Sequence, residues 1–98
     1  MPRNAPHPNP LKSERIQSAV NDTPGWELIG DSIRKTYELP GFRAALAFVQ
    51  YVGELAEVRD HHPDIDIRYS KVTLTLSTHS VGGLTEKDFD LAALIDAR

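Results

Sequence analysis

The sequence contains no cysteine among its 98 residues. That absence excludes disulfides, thiolate catalysis and cysteine–zinc sites, and it fits a reducing compartment. Long apolar runs are absent too. No stretch approaches the ~20 residues needed to span a bilayer, and Met1–Pro10 lacks the apolar segment of a signal peptide. We therefore expect a cytoplasmic protein that does not associate with membranes.

The chain also lacks an excess of positive charge, with 11 Lys and Arg against 14 Asp and Glu. The formal net charge is −3 and the pI is near 5.7, so we expect no direct nucleic-acid binding, which needs a basic surface. The apolar share of 40% and the charged share of 26% are ordinary for a globular protein. Four prolines within residues 1–10 predict a flexible tail. Residues 11–98 then suit a single domain.

The rest of the chain alternates between helical and strand periodicity. Helices are predicted over 13–21, from Phe42 to His62, where Pro63 disfavours helical geometry, and from a Thr85–Asp88 capping box to Asp96. Strands are predicted over 26–29, 32–39, 65–69 and 72–78, with 65–69 half-buried. The order α-β-β-α-β-β-α predicts an α+β fold: a four-stranded antiparallel sheet with helices packed on one face.

The longest predicted helix carries two apolar stripes. The first comprises Phe42, Ala45, Leu46, Val49, Val52 and Ala56, and the second comprises Ala44, Phe48, Tyr51, Leu55 and Val58. One sheet cannot cover so broad an apolar surface. We therefore expect the second stripe to pack on a neighbouring helix or on another subunit, which predicts a homo-oligomer.

Three of the four histidines lie in the second half of the chain. His61 and His62 stand at the end of the long helix, and His79 stands at the far end of the last strand. In a hairpin of 65–69 with 72–78, the ends away from the turn meet, so the three imidazoles are predicted to converge. Imidazole titrates near neutrality, and clustered imidazoles can donate one proton while accepting another. Glu57, Asp60 and Asp88 are carboxylates close enough in sequence to orient them.

Other interpretations stay open on these residues alone. A histidine pair at a helix end also interacts favourably with the helix dipole, and Asp88 has a structural role as a cap. Histidine and carboxylate side chains are usual ligands of zinc. However, adjacent histidines seldom bind one ion and no His-x-x-x-His spacing occurs, so no metal is expected.

The same residues resemble a known family. The motif Glu57-x-x-x-His61-His62-Pro63, followed by Tyr69, His79 and Asp88, is similar to the active-site signature of pterin-4a-carbinolamine dehydratases. The run from Gly83 to Asp88 after Thr78-His79 is characteristic of that family, which is also known as the dimerisation cofactor of a homeodomain transcription factor. The similarity covers residues 11 to 96.

This resemblance implies a hydro-lyase that converts 4a-hydroxytetrahydropterin to quinonoid dihydropterin, with pterin as substrate and no cofactor. The reaction would recycle the pterin of aromatic amino-acid hydroxylases, in a homodimer or homotetramer. His61 and His79 would be the acid–base pair and His62 would assist, supported by Glu57 and Asp88. The implied substrate contacts are Asp60, Pro63, Tyr69, Ser77 and Thr78. Ser80 departs from the acidic residue of many relatives. The alternative is a non-catalytic protein-binding scaffold of the same fold.

Overall fold

A computed structural model describes residues 9–98, so the predicted tail falls outside the described residues apart from Asn9 and Pro10. All four strands pair antiparallel in one sheet of order β1-β2-β4-β3. The predicted element order is confirmed. The elements are α1 (Ser13–Asn21), β1 (Glu27–Ile29), β2 (Ser32–Glu38), α2 (Phe42–Arg59), β3 (Asp64–Arg68), β4 (Lys71–Leu76), a short 3-10 turn (His79–Val81) and α3 (Glu86–Asp96).

The core lies between the helices and one face of the two central strands. Alternate residues of β2 and β4 point into it, and Ile33, Leu74 and Leu76 are completely buried. Phe48 of α2 and Phe89 of α3 pack in the same cluster. Thr73 and Thr75, which alternate with the buried residues of β4, are partly exposed. The opposite face of the sheet therefore stays open. Within residues 9–98, no helix combines the length and the apolar character needed to cross a bilayer.

Helix α2 buries a line that runs between the two predicted stripes. Its buried residues are Ala45, Phe48, Val52 and Ala56, which come from both stripes. The expected packing of the second stripe on a neighbouring helix is confirmed for Tyr51, whose hydroxyl donates to the carbonyl oxygens of Leu94 and Ile95 in α3, at 3.3 and 3.2 Å. Phe42 and Leu46 of the first stripe remain 47% and 46% exposed, because the sheet meets the helix between the stripes.

Strand β3 is an edge strand, and the prediction that it is half-buried is wrong. All five of its residues are exposed. Ile65 and Ile67 pair with Leu74 and Val72, so they share the helix-side face. Helix α2 packs over β4, however, and leaves this edge uncovered.

Helix α2 ends at Arg59, three residues before the predicted end at His62. Asp60 takes the left-handed conformation, with φ of 50°. The amides of Asp60 and His61 donate to the carbonyl oxygens of Glu57 and Ala56, at 3.2 and 3.0 Å. This is the paired hydrogen bonding of a Schellman motif, in which the left-handed residue reverses the chain. Pro63 therefore sets only the latest point at which the helix could end.

The end of α3 is tied to the β1–β2 hairpin through Asp96. Its carboxylate accepts hydrogen bonds from Tyr37 Oη at 2.6 Å, Trp26 Nε1 at 2.9 Å and Lys35 Nζ at 2.9 Å. Burial alone raises the pKa of Asp96, but these three donors outweigh it and hold the pKa below its ordinary value. Burial, reinforced by this carboxylate, raises the pKa of the Tyr37 phenol. The Asp96 contacts therefore fix α3, which carries part of the site described next.

Candidate active site

The three histidines of the second half of the chain line one cavity, which we call the histidine cleft. The β3–β4 register pairs Asp64 with Thr75, and continuing it beyond the strands places His62 opposite Ser77. The Schellman turn brings His61 to the same place. The cleft has a volume of about 260 Å³ and is lined by Asp60, His61, His62, Ser77, Thr78, His79, Ser80 and Lys87.

His61 is held by a buried carboxylate. Its Nε2 atom lies 2.6 Å from Oδ1 of Asp88, and the exposed fractions of the two side chains are 11% and 0%. A carboxylate can only accept, so Nε2 carries the hydrogen and donates it. The other ring nitrogen, Nδ1, is then left for proton exchange. The imidazole consequently has a defined tautomer and orientation.

The second oxygen of Asp88 is also occupied. It accepts from the Thr85 amide at 2.9 Å and from Thr78 Oγ1 at 2.8 Å. Because Thr78 donates to Asp88, the 2.8 Å contact between the Thr78 and Thr85 hydroxyls runs from Thr85 to Thr78. Thr85 Oγ1 in turn accepts from the Lys87 amide at 3.2 Å. The helix cap and the contact with His61 therefore belong to one hydrogen-bond network centred on Asp88.

His62 also has a carboxylate partner, but a solvated one. Its Nε2 atom lies 2.5 Å from Oε2 of Glu57, which is in the last turn of α2. The side chains are 54% and 76% exposed. Solvent screens such a pair, so Glu57 holds His62 less firmly than Asp88 holds His61.

His79 differs from both. It begins the 3-10 turn just beyond the isolated bridge between Thr78 and Gly83. Its imidazole makes no hydrogen bond to another side chain among residues 9–98. The cleft therefore contains one firmly held imidazole, one loosely held imidazole and one that is open to a ligand.

The structure brings most of the predicted site residues together. Asp60, Ser77 and Thr78 are on the cleft wall, and Glu57 and Asp88 stand behind two of the histidines. Pro63 and Tyr69 are not on the wall. Tyr69 lies at the β3–β4 turn, the opposite end of the hairpin, with its ring stacked 6.2 Å from that of Phe42. Within one chain, Tyr69 therefore lies away from the histidine cleft.

Two wall residues were not predicted as site residues, Ser80 and Lys87. Lys87 follows the helix cap Thr85 by two positions and precedes Asp88. A capping box marks where α3 begins, but it does not reveal which first-turn side chain faces the histidines. Among the residues that the structure describes, no group of three or more histidine and carboxylate side chains is arranged to hold a metal ion.

Comparison with known proteins identifies relatives over nearly the whole chain. The model of the family described as pterin 4 alpha carbinolamine dehydratase matches residues 9–98. A Roseiflexus castenholzii protein named "Putative pterin-4-alpha-carbinolamine dehydratase" is 58% identical over 86 residues, which cover 88% of this chain and 92% of that protein.

Two solved structures share the fold. One is the crystal structure of a transcriptional coactivator/pterin dehydratase from Brucella melitensis. It is 31% identical, with a TM-score of 0.86, and the match covers 91% of this chain and 97% of that one. The other is a pterin dehydratase-like protein identified as a RuBisCO assembly factor in the alpha-carboxysome. At 23% identity and a TM-score of 0.61, over 74% of this chain and 83% of that one, it shows the fold alone.

Proposed function

Because the chain belongs to the pterin-4a-carbinolamine dehydratase family, we propose that it dehydrates 4a-hydroxytetrahydropterin to quinonoid dihydropterin. The observation that carries this proposal is the presence of His61, His62 and His79 on the wall of one cleft. The proposed place of the reaction is the recycling of the pterin used by aromatic amino-acid hydroxylases.

The chemistry requires two proton transfers. The bond from C4a to the hydroxyl oxygen breaks, and a protonated imidazole supplies the proton that makes the leaving group water. The N5–H bond breaks towards a neutral imidazole, and its electron pair forms the double bond between N5 and C4a. Nothing is oxidised or reduced overall, so the step needs no redox cofactor. General acid–base groups of this kind contribute about 10²–10⁴-fold each.

We assign His61 and His79 to these transfers. Asp88 keeps the Nδ1 atom of His61 available, and His79 meets a ligand without first breaking a side-chain contact to another described residue. His62 binds the ring and assists, with Glu57 behind it. Asp60, Ser77 and Thr78 supply polar contacts from the wall.

A stopped-flow measurement tests whether the protein is an enzyme at all. The carbinolamine is generated in the instrument, and its dehydration is followed with and without a substoichiometric amount of protein. We expect multiple turnovers well above the background rate. A rate equal to background would contradict catalysis and would favour the scaffold.

That second candidate rests on what relatives of this fold are described as doing. The Brucella melitensis protein is described as a transcriptional coactivator as well as a dehydratase. A scaffold would bind its partner whether or not the histidines were intact. Full retention of partner binding by a catalytically dead variant would therefore separate a second role from the first.

We also propose that the chain forms a homodimer or homotetramer. Leu46 and Val49 line an open apolar groove on α2, and Ile65 and Ile67 leave apolar surface at the sheet edge. Glu57 lines the same groove and contacts His62, so a second copy seated there would border the histidine cleft.

A further inference from the structure

We infer that a smaller cavity beside the histidine cleft is a subsite for an anionic substituent of the pterin, so that reduced pterins with an acidic group on C6 are the preferred substrate class. This inference rests on the proposed function. The cavity, which we call the side cleft, has a volume of about 170 Å³ and is lined by Arg59, His61, Lys87, Asp90 and Leu91.

The side cleft adjoins the histidine cleft directly. His61 and Lys87 line both cavities, so the two cavities meet at these residues. A ring bound against His61 thus has a second cavity next to it, reached past Lys87. Arg59, the last residue of α2, lines the side cleft but not the histidine cleft.

Size supports a combined site. The histidine cleft, at about 260 Å³, is smaller than the roughly 300–1,000 Å³ of ordinary small-molecule sites. Together with the side cleft it reaches that range. A bicyclic ring with a substituent therefore fits two adjoining cavities better than it fits either one.

The charges of the residues that line the side cleft indicate that the substituent is anionic. Two cations, Arg59 and Lys87, line the side cleft against one carboxylate, Asp90. In the part of the chain that the structure describes, neither cation forms an ion pair. Unpaired guanidinium and ammonium groups can bind a carboxylate or a phosphate through charge-assisted hydrogen bonds. Asp90 repels such a ligand. Removal of either cation should therefore weaken binding of the anion, and removal of the Asp90 charge should strengthen it.

The experiment compares two stable, fluorescent probes with the same ring, 6-carboxypterin and 6-hydroxymethylpterin. Their dissociation constants are measured by fluorescence titration against the full chain at neutral pH. We expect 6-carboxypterin to bind roughly fivefold more tightly, the scale of a partly exposed ion pair. The preference should shrink at high ionic strength, because salt screens exposed charges.

Three variants locate the effect. Lys87→Met and Arg59→Met should each reduce the ratio of the two affinities towards one, and Asp90→Asn should increase it. Arg34→Met is the matched control, since it removes the same formal charge from a strand of the sheet and should leave the ratio as in the wild type.

The outcomes separate this inference from the function on which it rests. Equal affinities for the two probes, or a preference that survives in both Lys87→Met and Arg59→Met, would overturn the side-cleft assignment alone. Failure of both probes to bind, together with background dehydration rates, would overturn the pterin site itself and the inference with it.

Discussion

His61 and Asp88 form the best-defined contact of the cleft, with Nε2 and Oδ1 2.6 Å apart and the carboxylate fully buried. A buried carboxylate needs hydrogen bonds to offset its lost hydration, and Asp88 receives them from His61, Thr78 and the Thr85 amide. Asp88, a capping-box residue in the first turn of α3, therefore also orients the imidazole of His61, which we propose to be catalytic. Stability and activity should be coupled at this position.

Asp88→Asn tests that coupling. The asparagine side chain has one acceptor oxygen and an NH2 group, so it cannot satisfy all three donors that face it. We expect the free energy of unfolding to fall by about 2–4 kcal/mol and kcat to fall by at least about tenfold. Urea unfolding and stopped-flow dehydration measure the two quantities.

Glu57→Gln is the matched control, because it neutralises the other histidine partner. That pair is largely exposed, so its loss should cost less than about 1 kcal/mol. If Glu57→Gln proved as destabilising as Asp88→Asn, burial would not be what distinguishes the two carboxylates.

The left-handed residue at the end of α2 gives a second prediction. Asp60 has φ of 50°, a region that glycine tolerates and β-branched residues do not. We expect Asp60→Val to lower the free energy of unfolding by about 1–2 kcal/mol, and Asp60→Gly to leave it unchanged or raise it slightly. Chemical denaturation of both variants decides the matter. Equal stabilities would mean that the Schellman turn does not hold in solution.

Asp96 predicts an acid-sensitive contribution to stability. Its pKa is lowered in the folded state, so its contribution is fully present above the ordinary value of 3.8 and is lost as pH falls through the lower, folded value. Asp96→Asn should lower the free energy of unfolding by about 1–3 kcal/mol at neutral pH and by less in acid.

Urea midpoints measured from neutral pH down to below about pH 4 would show this convergence of wild type and Asp96→Asn. Asp31→Asn is the control, because Asp31 lies exposed in the β1–β2 turn. If the stability difference between wild type and Asp96→Asn stayed constant with pH, the charge of Asp96 would not be what stabilises the fold.

Self-association gives a fourth prediction. Leu46 is 46% exposed beside Val49 on the open groove of α2. Leu46→Glu should shift the chain to smaller species in light scattering, because it places a charge in an apolar interface. Val58→Glu, at a more exposed site on another side of the same helix, should not. A wild-type chain that is monomeric at micromolar concentration would contradict the oligomer.

Periodicity and capping signals were enough to predict the element order, because strands and helices here follow their hydrophobic spacing closely. The burial of Val72, Leu74 and Leu76 and the Thr85–Asp88 box are examples. The end of α2 was missed, because the reversal depends on Asp60 adopting a conformation that aspartate only sometimes takes.

The arrangement of the site could likewise be predicted only in part. The meeting of His61, His62 and His79 follows from hairpin geometry, and the sequence predicted it. The exposure of Ile65 and Ile67 depends on where α2 lies over the sheet, which spacing does not encode. The position of Tyr69 away from the cleft follows from the hairpin too, since a turn residue lies opposite the ends that meet. The prediction for Tyr69 followed the family motif rather than the hairpin topology.

The most direct test of the account is the dehydration rate of His79→Ala measured by stopped flow beside the wild type. His79 is exposed and makes no side-chain hydrogen bond to another described residue, so the variant should keep its circular dichroism spectrum and its urea midpoint. We predict that the rate falls by about 10²–10⁴-fold. A correctly folded His79→Ala protein that turns over at the wild-type rate would contradict histidine acid–base catalysis in this cleft.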